Sequence, residues 1–234
     1  MTGSPADLSL CIIPARGGSR RFPRKNLASF GGHPLAGQAI LAAKAAGIFR
    51  TVCVSSEDDE VLSVAEQYGA DLVLKRDAEL ARYERQVKDV CGSVIQELAT
   101  DGDHYPTFAV LLPTSPLRTP EDIRAAHDVL LESGADCCMS LVTCEHPPQR
   151  ALALRDGHVE AYFGDQYLKP AQSLETLYRH DGTVLFARTE SFLREGSFYG
   201  GHVVPYIVSR ERSVDIDHPL DLAWAEFLAA RQWQ

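Results

Sequence analysis

Leu8-Ser9-Leu10-Cys11-Ile12-Ile13-Pro14-Ala15-Arg16-Gly17-Gly18-Ser19-Arg20-Arg21-Phe22-Pro23-Arg24-Lys25-Asn26 joins a hydrophobic run to a glycine turn and a basic loop. The run Leu8 to Ile13 reads as a buried strand. Gly17-Gly18-Ser19 lets the backbone turn sharply and bring its N–H groups close to a ligand. Five of the ten residues from Arg16 to Lys25 are cationic, in a chain whose formal net charge is -9. A polyanion suits that loop, because Arg offers bidentate hydrogen bonds and Lys a mobile point charge. Strand, glycine turn and basic loop in this order suit a nucleoside triphosphate. The loop is neither G-x-x-x-x-G-K-[ST] nor G-x-G-x-x-G.

Outward from the loop, strand-length apolar runs alternate with helical patterns. Strands are expected at Leu8 to Ile13, Thr51 to Val54, Leu72 to Leu74, Phe108 to Leu112, Cys137 to Val142 and His202 to Val208. Helices are expected at Leu35 to Ala46, Asp58 to Tyr68, Val87 to Ala99, Glu121 to Glu132 and Leu220 to Ala230. Thr119-Pro120-Glu121 carries a helix-start signal, and Gly47, Gly69 and Gly134 follow helices. The expected fold class is α/β: a three-layer, mainly parallel, Rossmann-like sheet with ligands at the strands' carboxyl ends. After Val142 the rhythm breaks at Glu145-His146-Pro147-Pro148. Short strand-like pieces follow at Ala151 to Leu154, Val159 to Phe163 and Thr183 to Ala187. Residues 143–186 are therefore read as an inserted β-rich flap or arm on a single domain spanning 1–234.

With 234 residues and 45% hydrophobic composition, the chain can bury a sizeable core. Its acidic balance argues against nucleic acid or an anionic membrane as partner. No apolar run approaches the roughly 18 residues of a membrane span, and Met1 to Asp7 lacks signal-peptide character, so a cytoplasmic protein is expected. Six cysteines without a C-x-x-C pair read as reduced core residues. None of the eight histidines pairs with a nucleophile in the sequence.

Two further segments could carry chemistry. In extended Ser213-Val214-Asp215-Ile216-Asp217, both acids face one side, with Cα atoms about 6 to 7 Å apart. Their repulsion at that spacing is about 2.5 kcal/mol unless a cation offsets it, and such oxygen ligands suit Mg²⁺. Asp221 reads as a first-turn helix acid. Leu112-Pro113-Thr114-Ser115-Pro116-Leu117-Arg118-Thr119 lies between a strand and a helix, at the expected substrate mouth.

Together, Ile13-Pro14-Ala15-Arg16-Gly17-Gly18-Ser19, Pro23-Arg24-Lys25-Asn26, Pro113-Thr114-Ser115-Pro116-Leu117-Arg118, Glu145-His146-Pro147-Pro148 and Arg212-Ser213-Val214-Asp215-Ile216-Asp217 resemble the acylneuraminate cytidylyltransferases. The match is collinear over nearly the whole chain. The resemblance implies transfer of a cytidylyl group from CTP to a nonulosonic 2-keto sugar acid with release of pyrophosphate. It implies that Arg16, Lys25 and Asp217 are catalytic, and that Ala15, Arg16, Gly17, Gly18, Ser19, Arg20, Lys25 and Asn26 bind the nucleotide. It further implies that Leu112, Thr114, Ser115, Arg179 and Asp181 contact the substrate, that Asp215 and Asp217 hold Mg²⁺, and that the arm forms a homodimer.

The chain departs from the family pattern at several positions. Leu112 stands where Gln is common, Asp181 where Asn is, Leu185 where Tyr is, and Arg20 where Lys is. A usual basic residue aligns near Ala171, with Lys169 close by, and Ala81 to Asp89 lacks the small hydroxyl residues common beside the base. A metal-dependent glycosyltransferase using Asp215-x-Asp217, or a nucleotide-binding relative without turnover, are the alternatives.

Overall fold

β1 (Ser9–Pro14) has no exposed face, and its alternate side chains enter two cores. Cys11 and Ile13 point into one, Leu10 and Ile12 into the other, as the two-residue period of a strand requires. The computed structural model describes residues 9–77, 79 and 86–232. Ala81 to Arg85, part of the segment read beside the base, lie outside the described residues, as does Leu8.

After β1 the chain forms a short hairpin, β2 (Ser29–Phe30) and β3 (His33–Pro34), then α1 (Leu35–Ala46), β4 (Phe49–Ser56), α2 (Asp59–Gln67) and β5 (Leu72–Lys75). It continues through α3 (Val87–Thr100), β6 (Thr107–Val110), α4 (Pro120–Ser133) and β7 (Cys137–Thr143). The remainder comprises β8 (Leu152–Arg155), β9 (His158–Ala161), β10 (Tyr178–Arg188), α5 (Thr189–Glu195), β11 (Val203–Ile207) and α6 (Pro219–Gln232).

Seven strands form one sheet in the order β11-β7-β10-β6-β1-β4-β5. The pairs β1–β4, β1–β6, β4–β5 and β7–β11 are parallel. Helices α1, α2 and α4 cover one face through Ile40, Val61 and Ile123, while α3 and α5 cover the other through Val94 and Phe192. This is the expected three-layer α/β arrangement. Each fully buried Ile, Leu or Phe contributes roughly 1.5–3 kcal/mol to it. A third cluster seats α6 and the segment before it against Phe30, Leu35 and Leu117. Thr119 and Asp122 form a reciprocal capping box at the start of α4, as the Thr-Pro-Glu signal suggests.

The boundary of the expected arm is corrected. Thr183 to Ala187, its supposed last strand, belongs to β10 (Tyr178–Arg188), which lies in the middle of the sheet, antiparallel to both β6 and β7. Outside the sheet, β8 and β9 make a separate hairpin. Asp156 and Gly157, both with positive φ (49° and 80°), close it, as a two-residue hairpin turn demands. All six cysteines are unpaired, and five are buried. Among the described residues, no helix is long and apolar enough to cross a membrane.

Candidate active site

Beyond β1 the basic loop is tied down at three points. Ala15 N–H donates to the Ser55 carbonyl at the end of β4 (3.0 Å), and Gly17 N–H donates to Glu57 Oε1 (2.8 Å). Buried Asn26 donates through Nδ2 to the Arg16 carbonyl (2.7 Å), folding the loop back on itself. Arg24 adopts the left-handed conformation (φ 56°) at the start of a single 3-10 turn over Lys25–Leu27. Ser19 Oγ accepts from the Phe22 N–H (3.3 Å). The loop thus gathers Arg16, Gly17, Gly18, Ser19, Arg20, Lys25 and Asn26 at the carboxyl end of β1, where an α/β sheet binds ligands.

The two acids meet this loop. Lys25 Nζ lies 2.9 Å from Asp217 Oδ1, and Arg21 Nη2 lies 2.6 Å from Asp217 Oδ2. Partial burial would raise the Asp217 pKa, but the Lys25 hydrogen bond and the charges of Lys25, Arg21 and His218 outweigh it and hold the carboxyl below its ordinary value. Asp215 behaves in the opposite way. Its residue surface is open to the cleft, yet desolvation by the surrounding protein, with the Asp217 charge, pushes its pKa up. The Thr114 hydroxyl, Lys25 and Arg179 pull it down less strongly. Asp221 accepts from the N–H groups of Asp217 (2.9 Å) and His218 (2.7 Å), so it caps α6, as read from its position in the first turn.

The 112–119 loop supports these acids from the side. The Thr114 carbonyl accepts the Ile216 N–H (2.8 Å), and the nearby Thr114 side chain helps to lower the Asp215 pKa. Asp215, Asp217, Arg21 and Arg179 line a cleft of ≈ 790 Å³ with Arg210 and Trp224. Two expected substrate contacts sit elsewhere. Asp181 is 3% exposed, and its carboxylate accepts from Ser140 Oγ, Thr183 Oγ1 and the Thr183 N–H. Ser115 is buried, and its Oγ donates to the Asp181 carbonyl (3.3 Å). Both are spent inside the wall, because a buried carboxylate or hydroxyl must find its partners in the protein. Leu112 faces away from this cleft, into a second pocket.

Three positioning groups were not assigned from sequence. Glu57 accepts both Gly17 N–H and the buried Arg76 guanidinium (2.9 and 3.2 Å), linking the basic loop to the end of β5. Arg118 is 7% exposed and donates to the carbonyls of Leu112 (2.8 Å), Gly182 (3.2 Å) and Thr183. Arg212 Nη1 grips both oxygens of Asp122, which also accepts from Tyr206 (2.9 Å), so α4 anchors the segment leading to the acids. Arg118 and Arg212 fell within motifs singled out by sequence; Glu57 and Arg76 carried no such signal.

A family model for cytidylyltransferases matches residues 10–227. The pseudaminic acid cytidylyltransferase of Campylobacter jejuni is 32% identical over 221 residues, which cover 94% of this chain and 95% of that protein. The CMP-N,N'-diacetyllegionaminic acid synthase of Legionella pneumophila is 30% identical over 224 residues, covering 94% and 95% respectively. Among solved structures, a CMP:2-keto-3-deoxy-manno-octonic acid synthetase complexed with CTP superposes with a TM-score of 0.70. It covers 96% of this chain and 99% of that one at 14% identity, a likeness of fold.

Proposed function

The chain belongs to the cytidylyltransferase family, and from that premise we propose that it transfers the cytidylyl group of CTP to the anomeric hydroxyl of a nonulosonic 2-keto sugar acid, releasing pyrophosphate. The observation that carries this reading is the Lys25–Asp217 contact, which brings the basic loop and the acid pair into one site. No observation favours the glycosyltransferase or the non-turnover alternative.

In the reaction, Arg16, Lys25 and the N–H group of Gly18 hold the triphosphate, with Gly17, whose N–H is tied to Glu57, Ser19, Arg20 and Asn26 shaping the loop. Lys25 exchanges Asp217 for phosphate oxygen as CTP enters, so the loop's charge is offset both before and after binding. Attack on the α-phosphorus needs the hydroxyl held in line, and the cleft with Arg179 and Asp215 on its walls aligns it. Loop cations stabilise negative charge on the phosphoryl oxygens and on departing pyrophosphate.

Asp215 and Asp217 supply hard oxygen donors; desolvation, with the lesser effect of the Asp217 charge, raises the Asp215 pKa, and a bound cation would offset both. Two carboxylates would hold an ion that completes its shell with water and phosphate. Bound there, Mg²⁺ would neutralise charge on the phosphates. We place the reaction in the cytoplasm, supported by the six unpaired cysteines. We also propose a homodimer formed through the β8–β9 arm, supported by its exposed apolar side chains.

Given CTP, Mg²⁺ and a panel of sugar acids, the protein should release pyrophosphate. Arg16→Ala and Asp217→Asn should each lower kcat by about 100-fold while changing the urea midpoint little. No pyrophosphate from any acid would overturn the reading.

A further inference from the structure

Asp217 carries more positive charge than one carboxylate needs. Lys25 Nζ holds its Oδ1 at 2.9 Å and Arg21 Nη2 holds its Oδ2 at 2.6 Å, so cations of the basic loop cover both oxygens. Either cation alone would neutralise the acid. The two partners differ in setting. The Lys25 side chain is 13% exposed and belongs to the 3-10 turn, whereas that of Arg21 is 58% exposed and lines the cleft.

The acid itself is held in place. Its N–H donates to Asp221 (2.9 Å), and the N–H of Ile216 before it donates to the Thr114 carbonyl (2.8 Å), so the backbone is pinned on both sides. Any exchange at Oδ2 must therefore come from Arg21. Phe22, the next residue, packs into the third apolar cluster with Val214 and Ile216. That contact keeps the Arg21 backbone beside the acids and leaves the exposed guanidinium as the part that moves. Exposed ion pairs are weak, so the move costs little.

When Lys25 passes to phosphate, only Oδ1 is uncovered. Oδ2 stays under a guanidinium, whose charge opposes a second cation on the same carboxylate. A triphosphate in the cleft offers Arg21 better partners, because a guanidinium binds phosphate oxygens through two parallel hydrogen bonds. One movement of the side chain would then uncover Oδ2 and add a cation to the phosphates.

Resting on the cytidylyl-transfer reading, we propose that Arg21 is an exchangeable counter-ion. It covers Asp217 Oδ2 in the free protein and passes to the triphosphate of CTP, so that nucleotide binding opens the acid to a divalent cation. The test measures binding in wild type, Arg21→Ala and Arg21→Lys, with Mn²⁺ as the probe, followed by electron paramagnetic resonance. Without nucleotide, Arg21→Ala should bind Mn²⁺ about fivefold more tightly than wild type, and Arg21→Lys, which keeps the charge, should stay near wild type. Adding Asp217→Asn to Arg21→Ala should cancel the gain. For CTP with Mg²⁺, measured by calorimetry, the order reverses: Arg21→Ala should bind about tenfold more weakly, and Arg21→Lys should lose less. An unchanged Mn²⁺ affinity in Arg21→Ala, a gain that survives Asp217→Asn, or an unchanged CTP affinity overturns the proposal. Neither measurement needs turnover, so a protein that shows these shifts yet releases no pyrophosphate overturns the cytidylyl-transfer reading alone. A wild-type protein that does not bind CTP overturns both.

Discussion

Gly17 shows how little room the site leaves. A Cβ there would lie 2.3 Å from Asp58 Oδ2 and 2.5 Å from Asp58 Cβ. Asp58 is already engaged, since its Oδ1 accepts the N–H groups of Glu60 and Val61 and caps α2. Gly17→Ala must therefore displace either the cap or the loop. Loss of a cap costs about 1 kcal/mol, and a shifted loop loses its N–H bond to Glu57. We expect Gly17→Ala to lower the urea midpoint by an amount equivalent to about 1 kcal/mol and to raise the KM for CTP. Gly18 has nothing within 4 Å of its Cβ position, so Gly18→Ala should leave the urea midpoint in place. Equal midpoints for the two variants would contradict the packing account. The need for glycine here was legible in Gly17-Gly18-Ser19, but which glycine is crowded depends on Asp58, a residue delivered by another strand.

Elements that bury continuous apolar runs were easy to read: α1 was expected at its observed bounds, and β1 within a residue of each end. β10 was misplaced because its middle is polar. Between His180 and Leu185 it advances five residues while β7 advances two, so the strand loops out. The polar atoms of that loop find their partners in Ser140 and Arg118, which no local pattern reveals. A similar long-range tie holds the edge of the sheet. Asp136 accepts from Ser191 Oγ and from the His202 N–H (2.8 Å), joining the starts of β7, α5 and β11. These two hydrogen bonds, Ser191 first, hold its pKa below the ordinary value. A depressed acid contributes stability above its unfolded pKa of about 4 and loses it as pH falls through the lower folded value. The gap in urea midpoint between wild type and Asp136→Asn should accordingly be wider at pH 5 than at pH 3. A gap that stays constant would show that Asp136 does not titrate in this way.

At the scale of the whole molecule, the sheet and the arm divide the labour. The sheet positions the site, while the β8–β9 hairpin and the turns after it expose Leu154 (77%), Val159 (66%) and Leu168 (78%). Apolar surface of this kind marks an interaction site. If the proposed homodimer forms through this arm, Leu154→Asp combined with Val159→Asp should shift the sedimentation coefficient from dimer to monomer without changing the far-ultraviolet circular dichroism. An unchanged coefficient would place any dimer interface elsewhere. The Lys25–Asp217 pair also has a meaning in time, because 192 residues of chain separate its two ends. A nascent polypeptide that has emerged from the ribosome as far as β10 already holds six of the seven sheet strands and the complete basic loop. It lacks Asp215 and Asp217, the acids that meet Lys25 and line the cleft. Synthesis therefore completes the basic loop early and the proposed reaction centre only after β11, when Asp215 and Asp217 arrive and the third apolar cluster against Phe30, Leu35 and Leu117 closes.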